Sequence, residues 1–352
     1  MKPTSALALA SVIGVFRATV AAAPADIVVE TTIQAAVDVG QPGDTIRVPP
    51  GEYHESVLVT KDRLTIVGVP GAILEGDGVR ASGVRVRSLT PGGRVDGFTL
   101  ASLQVQHYAR NGVVLLGVDH FRIEHGTFVD NAEYGIFPIF SSDGVVAFNR
   151  VAGSQDTGIY IGQSTQAVIE YNHVTRCTVG IDVELSTQIA VRHNDVRRNT
   201  IGLTAEVLPG LSATATSDIE VVDTDFVANN EPNPVIDPDE ILAQLPHGVG
   251  VLLVGADRVL VQNNRVLDND SAGVAIIRLP APFAALDPRI DPFPDHDQIS
   301  GNVVFRNGRD PDPKLAPLPG ADLLWDGSGF GACWDDNRFD TAFPPSLPPC
   351  AH

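Results

Sequence analysis

Short apolar strands separated by polar turns fill residues 95–279, and the pattern has a longer period. Counted from Gly112, the same signature returns at Gly135, Gly158, Gly180, Gly202, Gly250 and Gly273, in steps of 23, 23, 22, 22, 48 and 23. Each unit reads as an apolar strand, an Asn, an x-Val step, a polar turn, the Gly and another strand, so that residues 169–183 match residues 191–205. A period near 22 with two or three short strands and no helical spacing fits one turn of a parallel β-helix. The sequence therefore predicts a single-stranded, all-β parallel β-helix of about ten coils, a rod about 50 Å long at ~4.8 Å per coil.

The ends depart from this pattern. In residues 31–39, Ile33, Ala36 and Val37 share one helical face, which suits a helix plugging the open end of the rod, where terminal strands would otherwise offer unpaired edges. After Pro280 the sequence becomes rich in Pro and Asp, with a last strand-like fragment at 299–305. The expected organisation is a secretory signal peptide over 1–23, cut after Ala23, then the β-helix with its N-terminal cap over 24–305 and an irregular Pro-rich cap over 306–352. The signal reading rests on Lys2, the apolar run from Leu7 to Phe16 and Ala21-Ala22-Ala23. It points to a secreted or periplasmic protein. No later segment approaches the ~20 apolar residues of a membrane span.

The step of 48 contains one full coil plus two insertions, residues 208–216 and 231–246, which flank the strand after the repeat glycine. Long insertions in a compact repeat usually build functional walls, so they single out one side of the rod.

Asn149, Asn172, Asn194 and Asn264 fall at one coil position, extended by Asn302, with His125 and Thr224 expected at the equivalent place in other coils. Stacked amides can bond up and down the rod, and this column reads as structural. Glu170 and Arg192 are expected to pair across coils, whereas His173 and His193 are out of register and make no metal site. Cys333 and Cys350 bracket a Pro-rich tail with little core and are expected to be bridged, leaving Cys177 as a buried, inert thiol.

The formal charge of −19 disfavours nucleic acid and disfavours a polyuronate unless a cation bridges the like charges. Chemistry is expected on the outer face of the strand after the repeat Gly. Alternation sends Val114, Phe137, Tyr160, Asp182 and Thr204 outward in one column and Leu116, Ile139, Gly162, Glu184 and Glu206 in another. Glu184 and Glu206 should stack one coil apart, close enough to raise a pKa or share Ca²⁺. One reading is a sugar groove in which Phe137 and Tyr160 supply flat faces, Asp182, Glu184 and Glu206 transfer protons, Gly162 leaves a gap for the ligand and His247 reaches in from the second insertion. The other is a solvated, charged sheet face.

With the Gly/Asn coils, the entry segment 33–37 and Pro49-Pro50-Gly51-Glu52-Tyr53, residues 31–305 resemble the right-handed parallel β-helix proteins of the pectin-lyase-like superfamily. The stretches 157–164 and 179–186 are similar to a secreted bacterial subfamily without an assigned function. The resemblance implies the fold; its members include pectate lyases, polygalacturonases and alginate epimerases as well as non-catalytic binding proteins. Alginate epimerases place Asp-Pro-His after a Tyr-Gly-hydrophobic step, where this chain has Tyr134-Gly135-Ile136-Phe137-Pro138-Ile139. Phe and Ile replace the acid and the His, which tells against epimerase chemistry of the usual kind. The local echo at 291–297 is open to either a metal or catalytic role or a solvated turn. The expectation is a monomeric secreted protein that binds a polysaccharide and processes it by lyase, hydrolase or epimerase chemistry. The alternative is a non-catalytic envelope or extracellular scaffold that binds another protein or a glycan through the insertions.

Overall fold

The computed structural model describes residues 23–237 and 240–351; the expected signal peptide lies almost wholly outside them. Three parallel sheets of 12, 11 and 11 strands run the length of the rod, and the chain visits them in turn. In one coil it passes from the first sheet (Thr165–Glu170) to the second (His173–Thr175) and then to the third (Val179–Glu184). Every named strand pair is parallel and in register from coil to coil, as between Thr165–Glu170 and Thr187–Arg192. The third sheet carries the strand that follows the repeat glycine. An extra first-sheet strand, Asp26–Val28, precedes the cap and was not foreseen.

The repeat glycines are set by close approach of neighbouring coils. A Cβ on Gly112, Gly135, Gly158 or Gly180 would lie 2.6–2.8 Å from the carbonyl oxygen of the glycine one coil on. Inside the rod, inward side chains stack into apolar columns that compensate in size: the Phe121 ring lies where a Cβ on Gly144 would stand.

Buried amides make a ladder along the rod. The backbone N–H of Asn149 donates to Asn172 Oδ1 (3.0 Å), and the run continues through Asn194, Thr224, Asn264, Asn302 and Asn337. Gly126, not His125, holds the equivalent place at its start, since its N–H donates to Asn149 Oδ1 (2.9 Å). His125 instead sits one residue earlier, in an exposed stack with Phe148, Tyr171 and His193 whose ring centroids are 4.9–5.0 Å apart. A second ladder, through Cys177, Asn199, Asn229, Asn269 and Asn307, had gone unseen in the sequence. Each such bond satisfies a backbone donor in a turn that has no other partner. The expected Glu170–Arg192 pair forms at 2.9 Å.

The N-terminal plug is the helix Ile33–Val39, capped by Thr32, with Ile33, Ala36 and Val37 buried. Lys61 Nζ donates to three carbonyls at its far end, at 2.7–2.8 Å. This places a cation where the helix leaves unpaired acceptors.

The coils do not end near residue 305. Two further turns, Gln298–Ser300 to Ala321–Trp325 and Cys333–Asp335 to Ala342–Phe343, add strands to all three sheets. The loop at 306–320 stretches the spacing and hides the 22-residue period in the sequence. Cys333 and Cys350 are bonded and tie the tail to the last coil. Cys177 is buried, and that burial lifts its thiol to about 11.

Candidate functional site

A second apolar cluster lies outside the rod. The outer face of the third sheet becomes apolar from Leu252 and Val254 onward, and Leu279, Ile290 and Leu315 of the C-terminal segment cover it. The two insertions stand on opposite sides of the strip just before this cover. The first bonds Gln163 through Ser212 (3.1 Å) and the Glu206 carbonyl through Thr216 (2.5 Å). The second accepts a bond from Thr200 at Pro232 (3.3 Å). The C-terminal segment ties down both: Arg289 donates to Leu211 (2.9 Å) and Lys314 to Leu245 (3.1 Å).

The columns expected from alternation are present in register. Tyr160 pairs with Asp182 and Asp182 with Thr204; Gly162 pairs with Glu184 and Glu184 with Glu206. One carboxylate oxygen from each of Asp182, Glu184 and Glu206 lies within 4.8 Å of the others. The expected solvated face is not found: the three acids are only 6–7% exposed.

Burial without a counter-charge dominates the electrostatics. Desolvation raises Glu206 to about 8, with Glu184 and Asp156 adding repulsion. Glu184 rises to about 7 for the same reason, although the Tyr160 hydroxyl donates to it and holds it down. Asp182 is raised well above its usual value by burial and by both glutamates, against a 2.7 Å hydrogen bond from Thr204 Oγ1. Among the described residues, no Arg or Lys figures among the main groups acting on these three. Glu184 Oε1 is buried with no hydrogen-bond partner among the described residues.

The aromatic part is larger than foreseen. Tyr134 stacks on Phe137 (4.3 Å) and both meet Tyr160, at 5.3 and 4.8 Å. Tyr134 donates to Asp156, a fourth acid, raised to about 6 by burial. Asp156 lies in the turn before the repeat glycine, outside both outward columns of the strand. Gly162 does not leave an opening. Its missing side chain is replaced by the Tyr160 ring, which passes 2.2 Å from where a Cβ would stand.

Two further residues were missed because the columns were counted from Gly112. Arg85 is in register with Val114 and Arg87 with Leu116, so the strip runs from two arginines through aromatics to carboxylates. His247 does not join the acids; its Nδ1 lies 2.8 Å from Asp312 Oδ2 in the C-terminal segment. Nor is 291–297 a simple solvated turn, because Asp297 has no exposed surface.

The cluster suits proton exchange between carboxyl groups. It also suits a hard cation, since oxygens sharing a Ca²⁺ at about 2.4 Å lie no more than about 4.8 Å apart. The partnerless Glu184 oxygen fits such an ion.

Comparison with known proteins bears on the fold. A family model described as a right handed beta helix region matches residues 71–226. No curated protein sequence matches the chain. Among solved structures, it is similar to the A-module of a mannuronan C-5 epimerase from Azotobacter vinelandii, with 16% identity, a TM-score of 0.64 and coverage of 91% of this chain and 92% of that one. It is also similar to an Arthrobacter chlorophenolicus DFA-IIIase without its lid (16%, TM-score 0.58, coverage 90% and 86%) and to an alginate lyase from Paenibacillus (15%, TM-score 0.53, coverage 93% and 98%). With three in-register parallel sheets and these likenesses, the chain has the fold of a right-handed parallel β-helix.

Proposed function

We propose that this protein is a secreted or periplasmic polysaccharide-processing enzyme. A glycan chain would lie along the outer face of the third sheet, with sugar rings against Phe137 and Tyr160. Asp182, Glu184 and Glu206 would supply the proton donor and acceptor. The observation that carries this reading is the set of three buried carboxyls within 4.8 Å of one another, walled by two insertions and, among the described residues, free of a basic partner. Such groups hold protons near neutral pH and can act as general acids. A structural role would favour apolar residues there, since unpaired buried acids cost stability.

The similar solved structures are a mannuronan C-5 epimerase, an alginate lyase and a DFA-IIIase, which supports a carbohydrate substrate. The Cys333–Cys350 bond suits an oxidising compartment. A second reading, favoured by the orphaned Glu184 oxygen, has Ca²⁺ bound by Glu184 and Glu206 with Asp182, neutralising an acidic sugar.

The test is incubation of the mature chain with neutral and uronate-containing polysaccharides, with and without Ca²⁺. New reducing ends or unsaturated products should appear and vanish in Glu206→Gln. Absence of turnover across the panel would leave the scaffold alternative as the better account.

A further inference from the structure

Away from the carboxylate strip, on the second sheet and its adjoining turn, Arg150, His173, Arg176, Arg197 and Arg198 line one cavity of about 470 Å³. Elsewhere on this surface two arginines are matched by acids: Arg265 pairs with Asp225 one coil away, and Arg306 with Asp268. At the cavity the matching is incomplete. Arg150 is in register with His173, stacking base on base. Arg176 and Arg198 occupy the same turn position in adjacent coils, the N–H of one bonded to the carbonyl of the other (2.8 Å). Beyond Arg198 the next coil offers Ala228, whose N–H continues that turn column.

The acids nearby do not balance these charges. Asp195 is already shared by Arg197 and His173. Asp130 meets Arg176 at 3.5 Å, leaning across the space left by Gly153. Glu231, from the second insertion, completes the lining. Arg150 and Arg198 are exposed and, among the described residues, have neither an ion pair nor a hydrogen bond to a side chain. On a chain of formal charge −19, stacked and unmatched guanidiniums oppose the overall field and cost repulsion that an anion would relieve. Arginine forks suit planar or tetrahedral oxyanions, bound by paired N–H donors.

We infer that this cavity is an oxyanion-binding site for a sulfate or phosphate group, carried by a glycan or free in solution, and separate from the carboxylate strip. It does not depend on the catalytic reading, since it shares no residue with that strip.

The test is calorimetric titration of the mature protein at low ionic strength with inorganic sulfate, inorganic phosphate and dextran sulfate, with uncharged dextran as blank. The Arg150→Gln/Arg198→Gln variant should keep its melting temperature and lose about tenfold or more in affinity. Arg309→Gln/Arg338→Gln, with the same charge change at exposed positions outside the cavity lining, should lose less than about threefold, the effect of net charge alone. Saturable binding of the small anions would assign a free ion; saturable binding of dextran sulfate alone would assign a chain-borne group. Either supports the site. Equal losses in the two variants, or no saturable binding of any probe, would overturn it.

Discussion

Glu184 and Glu206 stand opposite each other on adjacent coils, both buried, and among the described residues no basic side chain acts on either. Such a pair disfavours the folded state whenever it is ionised. The sign follows from the direction of the shift: Glu206 binds its proton more tightly folded (about 8) than unfolded, so stability present below about pH 4.5 is lost as pH rises through about 8. Glu206→Gln should therefore melt higher than the parent at pH 9, by the equivalent of a few kcal/mol, and differ little at pH 5. Melting curves across this range check it; a variant less stable at pH 9 would mean that the acid is held by something favourable.

Tyr160 lies across Gly162 and reaches Glu184. Gly162→Ala should push the ring out, at a cost of about 1–3 kcal/mol for overfilling a packed site. Turnover on any glycan substrate should fall with it. Urea unfolding and tyrosine fluorescence would report the displacement, and unchanged values in both would show that the ring can shift freely.

The amide ladder should be worth more than a surface hydrogen bond. Asn172 accepts from Asn149 and donates to Val146 O (2.9 Å) and Asn194 Oδ1 (3.0 Å), all buried. Asn172→Ala strands these groups, and a loss of about 2–4 kcal/mol is expected in equilibrium unfolding. A loss below about 1 kcal/mol would mean that water replaces the amide.

Much of this was legible in the sequence, for a physical reason. The coil period is imposed by contacts between equivalent residues, so Gly180 and Gly202 had to recur, and strand alternation then placed Asp182, Glu184 and Glu206 on one face. What escaped detection came from non-repeating segments. The apolar cover next to the acids is supplied by Leu279, Ile290 and Leu315, which carry no periodic signal. The last two coils were hidden because the 306–320 loop breaks the spacing. Gly126 was misread as His125 because a one-residue offset in a turn is invisible until the N–H partners are known.

Asp297 adds a second pH effect at the C-terminal end. It stands in an inward column, pairing through Oδ1 with the Val259 N–H (2.8 Å), and its Oδ2 has no hydrogen-bond partner among the described residues. Desolvation raises it to about 8, with Asp257 and Asp295 adding repulsion. Its contribution is therefore present below its unfolded value near 4 and is lost as pH rises to about 8. Asp297→Asn keeps the acceptor and should flatten that part of the stability profile. Hydrogen exchange of the last two coils between pH 6 and 9 should show the parent loosening and the variant unchanged; equal loosening in both would place the effect elsewhere.

The central claim is that the Asp182/Glu184/Glu206 strip is a carbohydrate site. The most direct measurement is a glycan-array screen of the mature chain with and without Ca²⁺, repeated on Glu184→Gln/Glu206→Gln. The account predicts selective binding that the double substitution abolishes while the protein stays folded. Absence of binding, or binding indifferent to both substitutions, would contradict it.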